Sequence, residues 1–389
     1  MPPSPPVAVV GSAIHAPRDR ARRSLEEAIY DVAQAALRDA GLAIADIDGI
    51  CVAANDQLDG RAIAIMMASG SVGGVEREIL STPSAAEHAF VLASLCVRSG
   101  QCRTQLVVAW SPLEVTSTRE AMHLATDPYF HRQLPLDDVS ASGLQAAALE
   151  ASAPDVRAAA LEVVHKNRLQ GAIAYPDRAR SPVERAWLGA GKPLAWPLTD
   201  AMVAAPDYGL VALVLANADF VDERALDGVA WVHGTGWATE PGFLGDRDLS
   251  ALPSLAEAAR QAYAEAGVAD PESAFALAEV SDATPYEELL AWEGLGLCRR
   301  EQWHEAACSD RFARGGPLPV NLSGGALSFN PVFCRGLVRI AEAANQVRGR
   351  AGPHQLPGAR RAVAHAASGF AMQYNTVVVM GSDRRGTRG

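Results

Sequence analysis

The sequence predicts an α/β protein built as two similar halves, stacked as layers of helix, sheet, helix, sheet and helix. Three observations carry this. Short apolar, β-branched runs alternate with amphipathic helical segments along the 389 residues. These runs are apolar throughout, which suits strands covered by helices on both faces. The order of elements in the first part returns in the second, and AQAALRDAGL at Ala33–Leu42 matches ARQAYAEAGV at Ala259–Val268 in pattern.

In chain order, Val7–Val10 reads as a buried strand ending at Gly11. Ser24 to Ala40 has apolar residues at helical spacing, with Ser24 and Glu27 placed as a capping box and Gly41 as the stop signal. Ile47–Ala53 is the next strand. Ala85–Ser99 is an Ala-rich helix closed by Gly100, and Gln105–Trp110 and Leu210–Ala216 are buried strands. In the second half, Val229–His233 is a strand and Leu252–Ala266 a helix stopped by Gly267. Ala276–Val280 is a strand, Phe333–Val347 a helix, and Ala362–Ala366 and Thr376–Met380 close the chain. The expected organisation is an N-terminal half at 1–222, with an inserted loop region at about 111–196, and a C-terminal half at 223–389.

Hydrophobic residues make up 49% and charged residues 20%, an ordinary globular composition for a chain long enough to build its own core. The net charge of −11 argues against a nucleic-acid partner, whose binding rests on neutralising phosphates. The six cysteines show no metal spacing and read as reduced, mostly buried thiols of a cytoplasmic protein. No run is long enough to span a membrane. The Pro-rich start and the Arg384–Gly389 tail read as disordered ends.

Several stretches carry a family resemblance. They are VAVVGSAIHAPRD from Val7, SLEEAIYDVAQAALRDAGLAIADIDGI from Ser24, and PLTDAMVAAPDYGLVALVLA at Pro197–Ala216. EELLAWEGLGLC at Glu287–Cys298 is similar to a helix written ELxxxExLGxC. LPVNLSGGALSFNPVFCRG at Leu318–Gly336 is similar to LPVNxxGGxxxxGHPxGxxG. Together they resemble the thiolase superfamily, in its sterol-carrier-protein (lipid-transfer) branch. The resemblance implies the thiolase fold, an acyl-CoA thioester as substrate with no covalently bound cofactor or metal, a homodimer, and in some relatives a small zinc-ribbon/OB-fold partner. Family members make or break carbon–carbon bonds through a cysteine thiolate at a helix N-terminus.

The residues that would do this chemistry are changed. Counting back from Gly100 puts the cysteine position at Pro83, or at Ser84 with a one-residue slip. Ser84 needs a base beside it, and His88 lies four residues on; the other reading makes Ser84 a helix cap and His88 a packed or surface residue. The G-H-P histidine aligns with Asn330, which cannot transfer protons but can donate to an oxyanion. The H-D-C-F segment aligns with Ser281 to Thr284, leaving Asp282 as a structural acid and Tyr286 as a weak acid/base or a core tyrosine. VAHAASGFAMQYN replaces the glycine-rich HNxGxGG segment. It offers His365, the first choice of titratable group, together with Tyr374. Ser368, Gly369, Gly324 and Gly325 supply the small residues of an acyl-CoA pocket. His165, Lys166 and Asn167 read as a solvated helix face.

Three functions follow. Thiolysis or Claisen condensation lacks its residues. Retro-aldol cleavage of a 3-hydroxyacyl-CoA needs a base and enolate donors but no acyl-cysteine, and His365, Tyr286, Tyr374 and Asn330 are of the right types. The alternative is a non-catalytic subunit or scaffold for an OB-fold acyl-CoA-binding protein or an active thiolase, its pocket filled by Phe329, Phe333 and Phe370.

Overall fold

The computed structural model describes residues 5–16, 23–112, 117–124, 126–131, 133–134, 136–178, 188 and 190–384. Residues 1–4 and 385–389 of the two tails, where the sequence predicts disorder, lie outside these. In the first half the strands are β1 (Val7–His15), β2 (Gly49–Ala53), β3 (Glu78–Thr82), β4 (Thr104–Ser111), the short pair β5 (Pro193–Ala195) and β6 (Leu198–Thr199), and β7 (Gly209–Asn217). The second half has β8 (Ala230–Thr239), β9 (Leu277–Val280), β10 (Arg361–Ser368) and β11 (Tyr374–Gly381). The helices that matter here are α1 (Leu25–Asp39), α2 (Ala86–Arg98), α3 (Asp138–Ser152), α4 (Val156–Ala174), α5 (Pro253–Ala266), α6 (Pro285–Gly294) and α7 (Arg335–Arg348).

Local signals place these elements as the sequence predicts. The Ser24 hydroxyl accepts the Glu27 amide at 3.2 Å and Glu27 Oε2 accepts the Ser24 amide at 2.8 Å, a closed capping box at the start of α1. Gly41 then takes φ +68°, the left-handed conformation that ends the helix. Some elements and boundaries differ: β3 has no counterpart among the predicted strands, β8 runs on to Thr239 rather than ending at His233, and α3 and α4 occupy much of the stretch read as an inserted loop region. β1 does not stop at Gly11 but bulges there against β7 and runs on to His15.

Nine strands form one sheet in the order β3-β2-β4-β7-β1-β8-β11-β10-β9. The seam between the halves is short, since β1 meets β8 only through Val7, Ala8 and Val9. Side-chain alternation sorts the sheet's residues into three apolar clusters. Ala8, Val10, Ile50, Val52, Leu106 and Val108 pack under α1 on one outer face. Val363, Val377 and Val379 pack under α5 on the other. Val7, Val9, Cys51, Ala362, Ala364, Val378 and Met380 join α2 and α7 in a shared central layer. This gives helix, half-sheet, helices, half-sheet, helix, although hydrogen bonds link the half-sheets at β1 and β8.

The segment expected to be a solvated helix face is not one. Asn167 is fully buried, and its amide nitrogen donates to Asp282 Oδ2 at 2.8 Å and Glu288 Oε2 at 2.6 Å. Lys166 donates to the Val320 carbonyl and pairs with Glu288 at 2.9 Å. The cause is α4, which lies over the loops that follow β9 rather than facing solvent. Three of the six cysteines, Cys51, Cys298 and Cys334, are buried, and Cys308 is exposed. Among the described residues no helix is long and apolar enough to cross a membrane.

Candidate functional site

The turn from β3 into α2 carries Pro83 and Ser84, both exposed. Ala85, not Ser84, is the capping residue, and it has no side-chain acceptor for the helix amides. The Ser84 hydroxyl points elsewhere. It lies 2.7 Å from Nδ1 of His88, one turn into the helix, and 2.9 Å from the Thr82 hydroxyl. Asn55 anchors the turn, donating through Nδ2 to the Pro83 carbonyl at 2.8 Å. Thr82 and Asn55 were not singled out from sequence, where only the Thr-Pro-Ser spelling at a strand end hinted at a local hydroxyl network.

The β10–β11 hairpin brings more predicted residues to this turn. Tyr374 opens β11 on the same face as Val378 and Met380, which turn toward the central helices. Its ring meets the His88 ring edge-on, 5.8 Å between centroids. Ser368 sits opposite Tyr374 in the ladder, and Gly369 follows at φ +73°, where an added Cβ would stand 2.9 Å from Tyr374 Cδ2. Thus Ser84, Tyr374, Ser368 and Gly369 converge, joined by His88. Tyr374, His88, Ser368 and Gly369 are half-buried, so the cluster is reachable from solvent.

The other candidates do not join them. His365 alternates with Ala364 and Ala366 and faces the outer helical layer under α5. Its Nε2 lies 2.9 Å from Asn375 Oδ1, while Asn375 Nδ2 donates to Ser254 Oγ and the Met372 carbonyl, so the imidazole is the donor. Burial pushes His365 down to about 4, and Nδ1 has no partner among the described residues. It is a neutral core histidine, not a base facing substrate.

Tyr286 is fully buried, and its hydroxyl donates to Glu150 of α3. Burial, then that carboxylate, hold the phenol well above its usual range. Tyr286 is therefore the core tyrosine. Asn330 is buried and its amide nitrogen donates to the Ala204 carbonyl at 3.0 Å, while Oδ1 lacks a partner among the described residues. An oxygen acceptor is the wrong polarity for the expected oxyanion role. Gly324 and Gly325 are packing glycines. An added Cβ would strike the Gly171 backbone at 2.4 Å in one case and the Asp282 carboxylate at 2.1 Å in the other. Asp282 itself is buried and takes the amides of Ala326 and Leu327, a structural role.

Phe329 and Phe333, which flank Asn330 in the sequence, are both buried. Phe329 lies 5.0 Å from the Tyr175 ring and 5.0 Å from the Arg178 guanidinium, which clamps Asp207 at 2.7 Å. The region that should hold the family's histidine is solid core.

Comparison with known proteins agrees with this architecture. A family model described as thiolase C-terminal domain-like matches residues 239–382. Sterol carrier protein 2 of Rattus norvegicus is 37% identical over 110 residues, 28% of this chain and 20% of that protein. The benzoylsuccinyl-CoA thiolase subunit BbsB of Thauera aromatica is 29% identical over 185 residues, 47% of this chain and 48% of that protein. The chain thus spans less than two thirds of the length of these relatives. Among solved structures, the Ltp2-ChsH2(DUF35) aldolase superposes with a TM-score of 0.81 at 19% identity, covering 99% of each chain. The chain therefore has the thiolase fold, its residues 239–382 match a thiolase C-terminal-like domain, and its similarity in sequence runs to the sterol-carrier-protein thiolase-like branch.

Proposed function

We propose that this chain cleaves a carbon–carbon bond of a 3-hydroxyacyl-CoA by retro-aldol chemistry, with His88 as base and Tyr374 as hydrogen-bond donor. The observation that carries the reading is the meeting of His88, Ser84 and Tyr374 at the turn where the family keeps its cysteine. His88 Nδ1 is engaged by Ser84, and Nε2 has no partner among the described residues. Nε2 takes the proton of the 3-hydroxyl, the bond between C2 and C3 breaks, and an aldehyde or ketone leaves. The electron pair passes to the thioester oxygen as an enolate. The Tyr374 hydroxyl donates to that oxygen, and the positive end of the α2 dipole lies beside it. The proton held by His88 then returns to C2, giving a shortened acyl-CoA. A solved relative of the same fold is named an aldolase, which supports the reaction class.

The test is incubation with a 3-hydroxyacyl-CoA, following aldehyde and shortened acyl-CoA together, with calorimetry for binding. Both products in equal amounts support the lyase. No binding and no product would sink it.

One observation favours a second reading, a non-catalytic subunit. Phe329, Phe333, Asn330, Tyr286 and His365 are all packed into the interior. In that reading the chain supports an acyl-CoA-binding partner of the zinc-ribbon/OB-fold kind, or an active thiolase. Light scattering of the chain alone and with such a partner would then show a complex while the product assay stays silent.

A further inference from the structure

The start of α3 and the segments around the β5–β6 pair enclose a cavity of about 480 Å³. Its walls are apolar and mostly small: Val139, Leu194, Ala195, Val203, Ala204 and Pro206. Asp138, the first residue of α3, lines the same space. Its carboxyl is half-buried, and no ion pair or side-chain hydrogen bond reaches it among the described residues. Burial pushes it above the usual carboxylate range, with the Arg335 charge opposing. A carboxyl so placed lacks the partner that burial calls for.

Hydrogen bonds tie this cavity to the segments around the His88–Tyr374 cluster. Ala204 in its wall donates its amide to the Ala283 carbonyl at 2.9 Å and accepts from Asn330 Nδ2 at 3.0 Å. The face of α3 that begins with Asp138 continues through Ser142, which donates to Glu287 at 3.3 Å, and Gln145, which donates to the Ala371 carbonyl at 3.4 Å. Ala371 lies in the β10–β11 turn, between Gly369 and Tyr374. From Asp138 to Gln145 the helix rises about 10 Å, a span that a medium-length acyl chain bridges. Charge narrows what the cavity accepts. Arg119 is held by Asp137, and the Arg335 charge is shared between Asp138 and Glu287, while Asp200 has no cation among the described residues. A carboxylate or a phosphate is repelled there. An uncharged apolar group fits the walls, and a hydroxyl on it supplies the partner that Asp138 lacks.

We propose that this cavity takes the far end of the acyl chain of a coenzyme A thioester, and that Asp138 selects chains that are uncharged and carry a hydroxyl at that end. The apolar walls hold the methylenes. The hydroxyl donates to the Asp138 carboxylate, or accepts from the carboxyl when it holds its proton. A chain ending in a carboxylate is rejected, because it sets a second anion against Asp138. Asp138 is a specificity residue and takes no part in bond cleavage. The inference rests on the reading above only for the thioester that carries the chain.

The test is calorimetric titration of the full chain with three thioesters that have no 3-hydroxyl and so cannot undergo the lyase reaction. They are decanoyl-CoA, 10-hydroxydecanoyl-CoA and the mono-CoA thioester of decanedioic acid. The hydroxylated chain is expected to bind about fivefold tighter than decanoyl-CoA, and the diacid roughly tenfold weaker or worse. Asp138→Ala brings the three to about the same affinity. Asp138→Asn keeps the hydroxyl preference, since an amide still hydrogen-bonds, and relaxes the rejection of the diacid. Val203→Trp fills the cavity and weakens all three by roughly 30-fold, while its acetyl-CoA binding and circular dichroism match wild type. Equal wild-type affinity for decanoyl-CoA and 10-hydroxydecanoyl-CoA would overturn the inference. So would a hydroxyl preference that survives Asp138→Ala, or no binding of any of the three. Failure of the lyase reading is seen separately, as absence of aldehyde from a 3-hydroxyacyl-CoA.

Discussion

A Cβ added at Gly11 would stand 2.4 Å from the carbonyl oxygen of Ala36. The same contact recurs in the other half, where a Cβ on Gly234 would meet the carbonyl of Ala262 at 2.1 Å. Ala36 and Ala262 hold the same place in the repeated helix segment, and each glycine follows a bulge in its strand. The duplication is thus a packing rule, in which a helix backbone lies directly on a glycine. Gly11→Ala or Gly234→Ala should cost about 1–3 kcal/mol or more, because the clash is with backbone. Gly70→Ala, with nothing within 4 Å, should cost nothing and stabilise by up to about 1 kcal/mol. Denaturant midpoints of the three variants check this.

His365 should make stability depend on pH in one window. Its imidazole sits at about 4 when folded, against an ordinary value of 6.5. Between these values the unfolded chain binds a proton that the folded chain refuses. The contribution is therefore full above about pH 6.5 and is lost as pH falls toward 4, by on the order of 3 kcal/mol. His365→Gln should flatten the wild-type slope of unfolding free energy across that window. An unchanged slope would show that the imidazole is not buried in neutral form.

Arg339 and Glu279 form a buried pair, Nη1 to Oε2 at 3.1 Å, completed by Ser323 at 2.6 Å from the same Nη1. Arg339→Met leaves the Glu279 carboxylate in the interior without its counter-charge, held only by the Ser323 amide and hydroxyl, and should cost about 3–5 kcal/mol. The double variant Arg339→Met with Glu279→Leu should recover most of that loss, as read in a double-mutant cycle by chemical denaturation.

Pro83→Cys should restore a reactive thiol but not a thiolase. The new cysteine is exposed beside the free end of α2, so it should alkylate faster than Cys51, whose burial pushes its thiol up to about 12. Thiolysis of a 3-ketoacyl-CoA should stay absent, because Ser281 and Asn330 stand where the histidines would be. Iodoacetamide kinetics and CoA consumption measure the two halves of this prediction.

The fold was legible because its signals are local. The Ser24–Glu27 box, the glycine stops and the apolar strand runs need only neighbours in sequence. The candidate cluster was legible in part. Ser84, Tyr374, Ser368 and Gly369, named from the sequence, lie at element ends that the fold brings together. His365 and Tyr286 misled for a physical reason: one residue of strand register, or one helical face, decides between pocket and core, and no motif states it. Asn167 failed similarly, since a polar residue on a helix reads as solvated until the loop that covers it is placed. Gly324 and Gly325 were read as small residues of an acyl-CoA pocket, but the close approach they permit is to Gly171 and Asp282.

The most direct test of the relocated site compares His88→Gln with His365→Gln for aldehyde release from a 3-hydroxyacyl-CoA, both variants first shown to be folded. The account predicts that His88→Gln lowers kcat/KM roughly 100-fold or more, while His365→Gln stays within a few-fold of wild type. Loss of activity in His365→Gln with His88→Gln unaffected would contradict it, and would return the chemistry to the β10 histidine.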